Sequence, residues 1–133
     1  MRRSLQITML VTASIPMMLG IMNFINGAEG FVPPEYVNAN LDNMLRFYAV
    51  WFTLIFTLTV WCVRNLDVAG PVMTIMFCTM ALGGVARIYS MSQVGLPDVP
   101  MRVATGIEIG VLLFLPWHAA VMRLGRPSAL PAE

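Results

Sequence analysis

Four apolar stretches, each longer than twenty residues and each ended by polar, glycine or proline residues, limit what this chain can fold into. They run from about Leu5 to Gly27, Leu41 to Val63, Val68 to Met91 and Val99 to Met122. A helix needs ~20 residues to cross a hydrocarbon core of ~30 Å, so each stretch suffices for one membrane span. The rest of the composition agrees. Of the 133 residues, 58% are hydrophobic and 11% charged, whereas a soluble domain carries about a quarter charged residues on its surface. The expected partner is therefore the lipid bilayer. A net charge of +1 without any cluster of basic residues excludes nucleic acid, because nothing could neutralise a track of phosphates.

The connections predict the arrangement. Residues 28–40, AEGFVPPEYVNAN, hold paired prolines and cannot continue a helix. Asn65–Leu66–Asp67 and the GLPDVP run from Gly95 supply two shorter breaks. Short connections make successive helices antiparallel neighbours. The expectation is an all-α integral membrane four-helix bundle forming a single transmembrane domain over residues 1–133. Arg2, Arg3, Arg64, Arg123 and Arg126 flank one side of the spans; Arg102, Glu29, Glu35 and Asp98 flank the other. By the positive-inside rule both termini are cytoplasmic. The opening MRRSLQ and its apolar run resemble a secretory signal. Pro16, the extension to Asn23 and the want of an A-x-A site argue instead for a retained first span. Trp61 and Trp117 lie near cytoplasmic ends and Tyr36, Tyr48 and Tyr89 near outer ends, as interface anchors do.

The informative residues are charges within the spans. From the helix rise, Arg46 lies about 7 Å below the outer boundary, Arg87 about 6 Å and Glu108 about 13 Å, with Asp42 at the outer mouth of the second span. A charge at a helix centre costs ~2.5–3.5 kcal/mol on insertion scales, so such residues are expected to turn inward and pair. Asp42 and Arg46 share a helix face at i,i+4. Arg87 and Glu108 differ by about 7 Å in depth, which two long side chains can span. With Arg102 and Asp98 at the rim, the outer set of charges can be electrically neutral.

Small and polar residues surround these charges. Asp42, Arg46, Ala49, Thr53 and Thr57 recur at helical spacing, and Asn23, Thr8 and Thr12 lie on one side of the first span, where Pro16 can bend it. Gly83 and Gly84 precede Arg87 by one turn and allow close approach of a neighbour. Gly106 and Gly110 form a G-x-x-x-G face for helix packing, opposite Glu108.

Reaction motifs are missing. HExxH, GxSxG, Walker and dinucleotide signatures do not occur, and no catalytic residue is identified. Cys62 and Cys78 have no metal-ligand or CxxC spacing and read as free, buried thiols. His118 is the sole histidine and cannot form an axial haem pair. No metal and no cofactor is expected.

LDNMLRFYAVWF (Leu41 to Phe52), LGGVARIYSMSQVGLPD (Leu82 to Asp98) and Glu108 in the last helix resemble the bacterial membrane family known as domain of unknown function 4345. The resemblance covers nearly the whole chain. It implies four helices and singles out Asp42, Arg46, Gly84, Arg87, Gly95, Pro97 and Glu108, and it implies no activity. In helix number and an Arg-bearing second helix the chain also resembles the DoxX-like membrane proteins. Small multidrug transporters carry their working carboxylate in the first helix, which has no acidic residue here. Two roles follow. One is a non-catalytic accessory subunit, scaffold or small homo-oligomer, held by helix packing and a charge cluster with a possible membrane protein partner. The other is binding or transport of an amphiphile (lipid, quinone or sterol-like) or a proton, through a periplasm-facing pocket around Glu108, Arg87 and Arg46.

Overall fold

The computed structural model describes residues 1–124, so Arg126, used above for orientation, lies outside the described residues. Among the described residues the chain is helix and turn throughout. Its helices are α1 (Arg2–Asn26), α2 (Ala39–Arg64), α3 (Gly70–Val94), α4 (Val99–Gly110) and α5 (Phe114–Leu124), with 3-10 turns at Gly27–Gly30, Pro34–Tyr36 and Val111–Leu113. Helices α1, α2 and α3 have 25, 26 and 25 residues, about 38 Å each at helical rise. Together with the 26-residue run Val99–Leu124 they make four helices long and apolar enough to cross a membrane. Large apolar side chains such as Ile7, Val11, Leu82 and Val103 are exposed on these helices, a surface suited to lipid and ill-suited to water.

Local chemistry sets each boundary. Helix α1 stops at Gly27, whose φ of +57° is the left-handed conformation that ends helices and favours glycine. Paired prolines carry the chain through the 3-10 turn at Pro34–Tyr36. At the start of α2 the Asn38 side-chain oxygen accepts from the Leu41 N–H at 3.0 Å, a helix N-cap. Helices α3 and α4 carry Pro71 and Pro100 in their first turns, where a missing N–H costs no hydrogen bond.

The fourth apolar stretch departs from the sequence expectation. In place of one helix from Val99 to Met122, it is broken by a 3-10 turn at Val111–Leu113. Pro116 accounts for the break: it offers no N–H to the Leu112 carbonyl, and its ring crowds that carbonyl. Helix α3 also runs one turn further than expected, to Val94, and ends at Gly95 with φ +107°. Cys62 is buried, but Cys78 is exposed on α3, which corrects the expectation of two buried thiols.

The helices group into two compact units. One is Gln6–Arg64; the other combines Met1–Leu5 with the described residues from Asn65 to Leu124. In the first, the Gln6 amide donates to the Val63 carbonyl at 2.9 Å. A Cβ built on Gly20 would lie 2.9 Å from Cβ of Phe52 and 3.2 Å from the Ala49 carbonyl, so α1 and α2 run antiparallel with nearly touching backbones at Gly20. In the second, α3 lies antiparallel to α4 and α5, with the Phe77 and Phe114 rings 5.4 Å apart. The His118 ring nitrogen Nε2 donates to the Leu66 carbonyl at 2.7 Å and ties α5 to the turn before α3. Arg2 pairs with Asp67 at 2.8 Å in the same unit.

Candidate functional site

The charges within the helices form two ion pairs, one in each unit. In the first unit Asp42 and Arg46, one turn apart on α2, meet through Arg46 Nε and Asp42 Oδ2 at 2.8 Å. A second contact, Nη2 to Oδ1, measures 3.3 Å. Both partners also serve the end of α1. Arg46 Nη1 donates to the Phe24 carbonyl at 2.6 Å and to the Ile25 carbonyl at 3.2 Å. These are among the last carbonyls of α1, which have no partner within the helix and carry the negative end of its dipole. Asp42 Oδ1 accepts from the Ala28 N–H at 3.0 Å, just beyond that end.

Glycine makes this clamp possible. Gly27 packs so closely that a Cβ there would overlap the Asp42 carboxylate and lie 2.7 Å from Arg46 Nη2. One glycine thus satisfies two demands, the left-handed turn and the close approach. Gly27 figured in the sequence reading only as the end of the first apolar stretch, and the two carbonyl contacts of Arg46 did not figure at all. The available signal was a glycine directly after a long apolar run, the usual mark of a helix C-terminus.

In the second unit Arg87 of α3 and Glu108 of α4 meet. Arg87 Nε lies 2.9 Å from Glu108 Oε2 and 3.1 Å from Oε1. Because α3 ends at Val94, Arg87 sits seven residues from its end, about 10 Å, instead of the four residues expected. Glu108 is nine residues into its helix, about 13 Å. The two therefore lie at nearly one level, and the side chains bridge a smaller offset than the sequence implied. Gly84 lets the helices close at this point: a Cβ there would come 2.8 Å from Ile109 Cδ1 and 3.3 Å from Glu108 Cβ. Gly83 is looser, with Glu108 Oε2 3.9 Å from a built Cβ.

Arg87 is only partly engaged. Apart from Nε, its one contact is Nη1 to the Met101 sulfur at 3.6 Å. A guanidinium has five N–H donors and a thioether is a weak acceptor. Three donors thus have no partner among the described residues. The side chain is 37% exposed. It lines a cleft of about 310 Å³ with Ser90, Met91, Val94, Met101 and the turn Gly95–Pro97.

The remaining sequence candidates are placed as follows. Asn23 is buried, and its Oδ1 accepts no hydrogen bond among the described residues. Thr53 is exposed, its hydroxyl donating to the Ala49 carbonyl one turn back at 3.3 Å. Gly95 and Pro97 belong to the cleft beside Arg87. Gly106 and Gly110 face open space, since a Cβ on either meets nothing within 4 Å. Arg46 and Arg87 belong to different units, so each pair is described by itself. Among the described residues no three His, Cys, Asp or Glu side chains come together as metal ligands.

No curated protein and no solved structure matches the chain. One family model does, described as Domain of unknown function (DUF4345), across residues 4–118. That range takes in the second and third long apolar helices whole, most of the first and fourth, both ion pairs and the Gly84 contact. A match over most of the sequence, with the same helices and charges inside it, means that the chain belongs to the DUF4345 family.

Proposed function

We propose that the protein is a non-catalytic, multi-pass protein of a bacterial cytoplasmic membrane, a single transmembrane domain of four spans with both termini cytoplasmic. In this reading it works through its helix faces, as an accessory subunit, scaffold or small oligomer. The observation that carries it is how the charges are used. Arg46 and Asp42 are spent on each other and on the end of α1, and Glu108 is held by Arg87. No metal-ligand set accompanies them among the described residues, and neither carboxylate is left free to act as an acid or base at a site. Gly106 and Gly110, open on α4, offer a face on which a second transmembrane helix can approach closely. Gentle extraction of the native protein, with mass spectrometry of what co-elutes, is expected to show a stoichiometric protein partner or a homo-oligomer. Gly110→Leu is expected to leave the chain folded and release that partner. A monodisperse, partnerless monomer from native membrane contradicts the proposal.

A second reading is favoured by one observation: the guanidinium of Arg87 presents unpartnered donors to a cleft. Here the protein binds an amphiphile through Arg87, with Glu108 beside it. A role for Arg46 in the same pocket has less support, because four hydrogen bonds already occupy it.

A further inference from the structure

Arg87, Ser90, Met91 and Val94 recur at helical spacing on one face of α3, and that face forms one wall of the cleft. Met101 of α4 and the Gly95–Pro97 turn close its other sides. Chemically the cleft divides in two. Its polar part is the guanidinium and the exposed Ser90 hydroxyl, and that hydroxyl makes no hydrogen bond among the described residues. Its walls are otherwise methionine, valine, leucine and proline.

The way Arg87 is held gives the cleft a direction. Glu108 takes Nε alone and the Met101 sulfur, a weak acceptor, meets only Nη1, so the edge of the guanidinium carrying Nη1 and Nη2 keeps three N–H donors for something else. That edge is a planar fork matched to two oxygens of one phosphate or carboxylate. In apolar surroundings each donor without an acceptor carries a desolvation cost, so an oxygen-rich partner is favoured there. Arg87 lies about 10 Å from the end of α3, within reach of the interface for a long side chain lying along apolar surface. In that geometry a phosphate sits on the fork while glycerol or acyl carbons lie on Met91, Val94, Leu96 and Pro97.

We propose that the cleft between α3 and α4 is a phospholipid site, in which Arg87 Nη1 and Nη2, with Ser90, bind the phosphodiester of the headgroup. Glu108 does not touch the ligand in this assignment. It holds Nε and aims the fork, so Arg87 is the binding residue and Glu108 a positioning residue. The proposal rests on the second reading above and narrows it to one chemical class.

The test uses the full chain exchanged into vesicles of phosphatidylglycerol and phosphatidylethanolamine, extracted gently and read by native mass spectrometry. The wild-type chain is expected to retain one phospholipid per copy. Arg87→Leu with Glu108→Leu removes both charges together and leaves no carboxylate stranded. Val94→Trp fills the cleft and leaves the ion pair untouched. Each is expected to lower retention by about tenfold or more, the scale of losing one bidentate contact. Equal retention in wild type and both variants overturns the site. Displacement by inorganic phosphate as effective as by phospholipid overturns the lipid assignment. If a quinone or sterol is held in an Arg87-dependent way and phospholipid is not, the headgroup proposal fails while amphiphile binding stands. If the wild-type chain retains nothing, both fail.

Discussion

Arg46 shows how a charge in an apolar helix is absorbed by the chain that carries it. Its guanidinium meets the Asp42 carboxylate and two carbonyls at the end of α1, so it caps a helix as much as it neutralises an acid. Gly27 is the least replaceable residue of that arrangement. Gly27→Ala is expected to cost about 1–2 kcal/mol for the left-handed backbone alone, plus displacement of the Asp42 carboxylate that a Cβ would overlap. Gly106→Ala is the control. Its Cβ meets nothing, and alanine is the better helix former by about 0.5–1 kcal/mol, so a neutral or slightly raised unfolding midpoint is expected. Thermal unfolding of both variants in detergent checks the contrast. The i,i+4 spacing of Asp42 and Arg46 was legible from sequence because one helix fixes it. Their carbonyl partners were not, since those lie 21 and 22 residues away across a loop and depend on where Gly27 turns the chain.

At the scale of elements, the long helices were legible because their apolar runs are long and their breaks are rich in proline, glycine and asparagine. Their ends were less so. The third apolar stretch ended at about Met91 in the sequence, yet α3 persists until Gly95 takes a positive φ. The break in the last stretch was missed because Pro116 acts through a carbonyl four residues earlier, inside an unbroken apolar run. The turn between α2 and α3 holds a further link, Asp67 with Arg2 at the first residue of α1. The hydrogen bonds from Arg2 hold the Asp67 carboxyl below its usual range. A depressed folded-state pKa contributes stability that is present above the unfolded carboxyl pKa and lost as pH falls through the folded one. Asp67→Asn is therefore expected to lower the unfolding midpoint slightly at neutral pH and to make no difference in acid below the carboxyl range. Both side chains are about half exposed or more, so the effect is small and shrinks with salt. An unfolding series across pH in wild type and variant reads it.

For the whole molecule, four helices are long and apolar enough to cross a membrane, and the chain belongs to the DUF4345 family. What the proposal adds is an orientation and a use for the charges. Reporter fusions after Arg64 and before Arg2 are expected to be active only on the cytoplasmic side, and a fusion after Val37 only on the outer side. The reverse pattern would overturn the orientation drawn from arginine placement. The central claim is that the intrahelical charges hold the helices in place and perform no chemistry. It is tested most directly on the unfolding midpoint of the full chain in detergent, comparing Arg87→Leu, Glu108→Leu and the double variant. Each single change strands one charge and is expected to cost ~2.5–3.5 kcal/mol. The double change removes both charges and is expected to return to within about 1 kcal/mol of wild type. Single variants as stable as wild type would show that the pair does not hold α3 to α4, and would contradict the account.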